Sequence, residues 1–94
     1  MNLQLSRHAQ TRAAQRCLSQ DDIYYILRYG RRYHAADAIF YFLAARDIPE
    51  ADRRMMTRLS GTAIIVNKQR STIITMWRNR QHGARNIRRK QAKT

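Results

Sequence analysis

The acidic residues of this chain are confined to one stretch. All six lie between Asp21 and Asp52, whereas the 19 Lys and Arg residues are spread along the chain, so the formal net charge is +13 on 94 residues. Self-repulsion of like charges works against a compact fold, and an uncompensated positive field of this kind favours a polyanionic partner, most commonly RNA or DNA. It also disfavours mechanisms that use paired carboxylates or acids holding two metal ions, because few acids are present.

The length allows one small domain. A chain of 94 residues buries only about 60–65% of the surface that it exposes when unfolded, and the apolar content of 44% is enough for a small core. The only cysteine, Cys17, allows no internal disulfide. The first ten residues lack the apolar segment of a signal peptide, and the longest apolar run, 38–45, is too short to span a bilayer. We therefore expect a soluble cytoplasmic protein with no membrane segment.

A first helix is predicted from Arg7 to about Cys17, with Ser6 as its N-cap. Small residues at four-residue spacing give it a modest apolar stripe that ends at Cys17. The neighbouring face repeats polar and cationic residues at similar spacing, namely His8, Arg12 and either Gln15 or Arg16. This helix is therefore weakly apolar and strongly cationic.

A second helix is predicted after Ser19, which is its N-cap, with Asp22 at the capping-box position. Apolar residues from Ile23 to Leu27 recur at helical spacing. Gly30 is expected to end the helix in a left-handed conformation.

The rest of the domain is predicted to form strands around one short helix. Runs of aromatic and β-branched residues, separated by turn residues, delimit these elements. The predicted strands are 31–36, 38–45, 62–68 and 71–78, and the short helix covers 51–59. The fold class is therefore α+β: two N-terminal helices pack on a three- to four-stranded antiparallel sheet with a short inserted helix. Residues 1–80 are expected to form this single domain, and residues 81–94 a flexible basic C-terminal tail.

Three parts of the sequence resemble a family of small bacterial proteins. They are the pattern from Ser6 to Ile23, the pair Tyr29-Gly30 with the strand Ile39–Leu43, and the run from Ile73 to Asn79, which together extend over most of residues 5–80. That family resembles the barnase–colicin–RelE-like ribonuclease-toxin superfamily, whose N-terminal helices pack on an antiparallel sheet. The resemblance implies a metal-independent ribonuclease or RNA-targeting toxin of a toxin–antitoxin or contact-dependent inhibition system. It further implies RNA as partner, free or on the ribosome, and an acidic antitoxin or immunity protein.

A ribonuclease that works without a metal ion needs a base, an acid and cations. Histidine titrates near neutrality, which makes His8 the candidate base or acid, whereas arginine stays protonated and is suited to hold phosphate. The candidate catalytic residues are His8, Arg12, Thr75 and Arg78. The strand pleat places Thr75 and Arg78 on opposite faces, so both contribute only if the strand end twists or bulges. The alternative for His8 is a structural histidine that bonds the backbone near the helix start.

A wider set of cationic and aromatic residues is suited to nucleic acid, because arginine pairs with phosphate and aromatic rings stack on bases. The candidate nucleic-acid-binding residues are Arg7, Arg16, Tyr41, Trp77, Arg80, Arg85, Arg88, Arg89 and Lys90. Packing within the domain is the favoured alternative for Trp77, and a plain solvated helix face is the alternative for Arg12 and Arg16. The cysteine and the histidines lack zinc-site spacing and the glycines form no phosphate loop, so we expect neither metal nor cofactor.

Two other functions stay open from the sequence. A non-catalytic basic protein would hold RNA or DNA through phosphates alone, and a structural subunit would meet an acidic protein with its basic face. Deleting residues 81–94 separates the enzyme from the electrostatic binder. The binder should lose most of its affinity, whereas the enzyme should still turn over a short substrate.

Overall fold

The computed structural model of the chain describes residues 4–69 and 71–78, without the side chain of Met56. Its helices and strands follow one another as β1 (Gln4–Leu5), α1 (Arg7–Gln15), α2 (Gln20–Tyr29), β2 (Arg31–Ala35), β3 (Ala38–Leu43), α3 (Met55–Leu59), β4 (Thr62–Asn67) and β5 (Thr72–Arg78). Two 3₁₀ turns, Ala45–Asp47 and Glu50–Asp52, lie between β3 and α3. The predicted helix over 51–59 is therefore a 3₁₀ turn followed by a shorter α-helix.

The five strands form one sheet in the order β1-β5-β4-β3-β2. The pairs from β2 to β5 are antiparallel, whereas β1 pairs with β5 in parallel, with Gln4 opposite Thr72 and Leu5 opposite Ile73. The predicted α+β class is confirmed. The sheet differs from the prediction because it gains β1, which consists of two residues and is too short to show an alternating pattern.

The ends of α1 are set by two local motifs. At its start, the Ser6 hydroxyl accepts a hydrogen bond from the Ala9 amide at 3.0 Å, as an N-cap does, and donates one to the Ile74 carbonyl at 2.8 Å. At its end, the amides of Cys17 and Leu18 donate back to carbonyls of the last turn, a Schellman motif with Cys17 in the left-handed position (φ 55°). The helix therefore stops at Gln15, and Cys17 is exposed rather than part of the buried stripe.

The predicted capping box of α2 is confirmed, because Ser19 and Asp22 each accept a hydrogen bond from the other's backbone amide. The expected left-handed end at Gly30 is wrong, since this residue has φ −68°. Glycine is needed here for close packing instead. A Cβ at this position would lie 2.6 Å from the Ile26 carbonyl oxygen and 3.3 Å from the Phe42 backbone.

The sheet has apolar side chains on both faces, because neighbouring strand residues point to opposite sides. On one face, α1 and α2 cover the main core, whose fully buried members include Ile26, Leu43, Leu59, Ile64, Ile73 and Met76. The other face carries a smaller cluster of Ala35, Phe40, Phe42 and Ala63, with Trp77 beside it. A bulge in β5 at Ile74 lets Ile73 and Met76 point to the same helix-covered face.

Candidate functional site

Helix α1 lies beside β5. Its N-cap, Ser6, bonds Ile74, and its last residue, Gln15, and C-cap, Arg16, line a cavity together with Arg78. From Ile74 to Arg78, β5 advances by four residues, or about 13 Å, and the nine residues of α1 advance by about 13.5 Å. The helix and this part of the strand therefore match in length. One flank of α1 therefore leads to the last residue of β5.

The predicted spacing of His8 and Arg12 brings their side chains into contact. The Arg12 Nε donates to His8 Nε2 at 3.5 Å, at the outer limit of a hydrogen bond, and its Nη1 donates to Gln15 Oε1 at 3.3 Å. His8 is exposed, and Arg12 is half-buried. The imidazole is thus open to solvent on a helix flank, with a guanidinium beside its Nε2.

A small polar cavity of about 130 Å³ lies at the end of this flank. We refer to it as the arginine pocket, because three arginines line it: Arg16 just after α1, Arg58 from α3 and Arg78 from β5. Its lining residues are Gln15, Arg16, Leu18, Arg58, Thr62 and Arg78. Sequence reasoning singled out Arg16 and Arg78 but not Arg58, which comes from a different segment of the chain.

The guanidinium of Arg78 is anchored by backbone. Its Nε donates to the Ser60 carbonyl at 3.2 Å, and its Nη2 donates to the Thr57 carbonyl. These two backbone carbonyls hold the Arg78 guanidinium at the pocket.

Asp22 holds Arg58. The Arg58 Nη2 lies 2.7 Å from Asp22 Oδ2, and the carboxylate side chain is 6% exposed whereas the guanidinium side chain is 54% exposed. Burial alone would raise the pKa of Asp22, but the Ser19 backbone and hydroxyl and the Arg58 guanidinium together hold this pKa below its ordinary value. One carboxylate thus caps α2 and positions an arginine of the pocket.

Arg16 is the third guanidinium. In the part of the chain that the structure describes, its side chain has no hydrogen-bond or ion-pair partner. The pocket therefore brings together three positive side chains, with Asp22 as the carboxylate beside them.

The other predicted site residues within the described part of the chain lie apart from the pocket. Thr75 and Trp77 point to the sheet face without helices, where the Trp77 ring meets Phe40 edge-on with centroids 6.4 Å apart. Tyr41 is half-buried against the helix-side core, and Arg7 is exposed on α1. The candidates of the predicted tail, Arg80, Arg85, Arg88, Arg89 and Lys90, lie outside the described residues. The structure thus brings His8 together with Arg12, and Arg16 with Arg78, and it separates both pairs from Thr75.

A larger cavity of about 510 Å³ lies on the other side of α1, towards α2. Apolar and small residues dominate its lining, including Leu5, Ala13, Ala14, Ile23 and Ile73, and the half-exposed Tyr24 stands at its rim. Its only ionisable lining residue is a tyrosine, so it offers no acid–base pair for chemistry near neutral pH.

Residues 4–69 and 71–78 contain no group of three or more His, Cys, Asp or Glu side chains placed to hold a metal ion. None of the described helices has the length and apolar character needed to cross a membrane.

Comparison with known proteins places the chain in a family. Neither the curated proteins nor the solved structures gave a match. Residues 5–78 match a family described as a domain of unknown function, DUF4258. Since this match covers more than half of the sequence, the chain belongs to the DUF4258 family.

Proposed function

We propose that this protein is a metal-independent ribonuclease, an RNA-targeting toxin of a bacterial toxin–antitoxin or related system that acts in the cytoplasm. The observation that carries the proposal is the flank of α1. It holds the His8 imidazole 3.5 Å from the Arg12 guanidinium and leads into the arginine pocket. A proton acceptor beside cations that fit phosphate supplies two of the three functions that metal-independent RNA cleavage needs, and water supplies the acid.

In this mechanism, the Arg12 Nε leaves His8 Nε2 to donate to phosphate, and the freed lone pair of Nε2 takes the proton of a ribose 2′-hydroxyl. The 2′-oxygen then attacks the adjacent phosphorus, the bond from phosphorus to the 5′-oxygen breaks, and that oxygen takes a proton from water. The imidazolium of His8 returns its proton to the hydroxide that remains. The products are a 2′,3′-cyclic phosphate and a 5′-hydroxyl. Arg12 stabilises the additional negative charge of the phosphorane, because its planar guanidinium donates to two phosphate oxygens at once. Thr75 has no part in this step, since it points to the other face of the sheet.

The same surface suits an acidic protein inhibitor. Helix α1 contains no acid and carries Arg7 and Arg12, with Arg16 just beyond its end. An acidic antitoxin or immunity protein that covers this flank would gain electrostatic complementarity and would exclude RNA from His8.

A single-turnover cleavage assay on a short RNA in EDTA tests the role of His8. We expect His8→Ala to lower the cleavage rate by about 100-fold or more while the circular dichroism spectrum stays unchanged, because one general base contributes that much. The matched control is His34→Ala, at an exposed histidine on β2, which should retain the wild-type rate. An unchanged rate for His8→Ala would reject His8 as the base.

A second candidate function, non-catalytic binding of RNA or DNA, is favoured by the shortage of titratable groups near α1. His8 and His34 are the histidines within the described residues, and His34 lies on β2, at the opposite edge of the sheet from β1. A mechanism with two histidines is therefore unsupported there. Deleting residues 81–94 distinguishes the functions: a binder loses most of its affinity, and an enzyme still cleaves a short RNA.

A further inference from the structure

We propose that the arginine pocket binds a phosphate monoester, the terminal phosphate of an RNA strand. RNA as the ligand rests on the proposed function, whereas the preference for a monoester rests on the pocket itself. The site is separate from the His8–Arg12 contact, although the two lie on one flank of α1.

The charge of the pocket matches a monoester better than an internal diester. Arg16, Arg58 and Arg78 bring three positive charges, and Asp22 brings one negative charge, which gives 3 − 1 = +2 for the described side chains. A phosphate monoester carries about −1.5 to −2 at pH 7, whereas a backbone phosphodiester carries about −1. The monoester therefore comes closest to neutralising the pocket.

The size of the pocket points the same way. Its volume of about 130 Å³ suits one small anionic group, whereas a diester continues as a nucleotide on both sides and needs an open groove. Arginine suits the three terminal oxygens of a monoester, because each planar guanidinium can donate to two of them in parallel.

Two of the three arginines are held in place by the protein. Backbone carbonyls fix Arg78, and Asp22 fixes Arg58, so a ligand does not have to order these long side chains when it binds. Arg16, at the C-cap of α1, has no described partner that would account for its position near two other cations. Cationic side chains that line one small pocket repel one another, and an anion bound between them would reduce this repulsion.

Binding of short RNAs that cannot be cleaved tests the proposal. The probes are three 2′-O-methyl hexamers, one with a 5′-phosphate, one with a 3′-phosphate and one with hydroxyls at both ends. Fluorescence anisotropy measures their binding. We expect one of the two phosphorylated hexamers to bind about 10-fold tighter than the hexamer with hydroxyls at both ends. One or two charge-assisted hydrogen bonds account for a difference of this size. Arg16→Gln should reduce this preference to about 2-fold or less, because it removes one guanidinium from the pocket.

The matched control is Arg32→Gln, which removes the same charge from exposed β2, three strands away from β5. It should keep the preference for a phosphorylated end. Equal affinity of the wild type for all three hexamers overturns the proposal, and so does an unchanged preference in Arg16→Gln. A phosphoserine peptide that binds tighter than any hexamer would overturn RNA as the ligand. If the protein cleaves RNA in EDTA but binds all three hexamers equally, only the pocket proposal fails. If it prefers a phosphorylated end but cleaves no RNA, only the proposed ribonuclease function fails.

Discussion

At the scale of single residues, Cys17 is the clearest case of a side chain in an unfavourable position. It occupies the left-handed site of a Schellman motif at φ 55°, a site where glycine is the common residue. A residue with a Cβ is strained in this conformation by about 1 kcal/mol or more.

We expect Cys17→Gly to stabilise the fold by about 1 kcal/mol, because glycine reaches this conformation without a Cβ clash. For a domain of this size, that change raises the thermal midpoint by about 4–8 °C, which circular dichroism can measure. Cys17→Ser is the control, since it keeps a Cβ and should leave the midpoint near that of the wild type. A midpoint of Cys17→Gly at or below the wild-type value would contradict the strain.

Asp22 is the residue through which pH should act on stability. Its pKa is lower in the folded protein than in the unfolded chain, so its contribution is present above the ordinary value of 3.8 and is lost as the pH falls through the folded pKa. We expect Asp22→Asn to lower the free energy of unfolding by about 1–2 kcal/mol at pH 7, because Arg58 and the cap lose a charged acceptor.

Urea unfolding from pH 7 to pH 3 measures this dependence. The difference between wild type and Asp22→Asn should shrink as the pH drops below 3.8, the ordinary pKa. Asp21→Asn, at the exposed neighbour, should change stability by only a few tenths of a kcal/mol. A gap between wild type and Asp22→Asn that stays constant down to pH 3 would exclude the carboxylate charge as its cause.

At the scale of elements, Ser6 joins α1 to the sheet. Its hydroxyl caps the helix and also donates to the carbonyl of the bulged residue Ile74. We expect Ser6→Ala to lower the free energy of unfolding by about 1–2 kcal/mol, because two hydrogen bonds are lost and one of them is an N-cap. Urea denaturation provides the measurement.

Thr11→Ala is the matched control for Ser6→Ala. Within the described part of the chain, the Thr11 hydroxyl bonds only the Arg7 carbonyl of the same helix, on an exposed face. Its loss should change stability by no more than about 0.5 kcal/mol. If Ser6→Ala lowered the free energy of unfolding by no more than Thr11→Ala does, Ser6 would not be joining α1 to β5.

The elements that the sequence predicts well are those with local signals. The capping box of Ser19 and Asp22 marks the start of α2, and the aromatic run marks β3. Strand β1 has no such signal, since its partner lies near Thr72, far along the chain. The left-handed turn at Cys17 was missed because the residue type favours no such conformation, and the Schellman bonds appear only in the backbone geometry.

The candidate site was predictable only in its local part. The contact of His8 and Arg12 follows from helical spacing of four residues. Arg58 was not found, because its place in the pocket depends on how α3 packs beside Asp22, 36 residues away in sequence. The sequence contained one signal for Arg58: Asp22, if buried, requires a cationic partner.

At the scale of the whole molecule, the positive charge determines how RNA affinity depends on salt. The logarithm of the affinity for a single strand should fall with the logarithm of the salt concentration, with a slope of about −0.7 for each phosphate contact. We expect Arg16→Gln to reduce the magnitude of this slope by about 0.7 when a 5′-phosphorylated 2′-O-methyl RNA is titrated, because one contact disappears. Arg32→Gln should leave the slope at its wild-type value, and equal slopes for all three proteins would place Arg16 outside the interface.

The distribution of charge also links the fold to the proposed chemistry. Two of the six acids form ion pairs within the domain, Asp22 with Arg58 and Asp47 with Arg31, whereas α1 and β5 contain no acid. A polyanion can therefore approach the flank of α1 without meeting a carboxylate on that helix, and the proton transfer is left to His8.

The most direct test of the central claim is the chemical identity of the ends that the protein makes on a defined RNA in EDTA. We expect mass spectrometry to show a 2′,3′-cyclic phosphate on one fragment and a 5′-hydroxyl on the other, with His8→Ala producing neither. RNA that is bound but never cut, or fragments that carry a 5′-phosphate and a 3′-hydroxyl, would contradict a metal-independent ribonuclease with its base on α1.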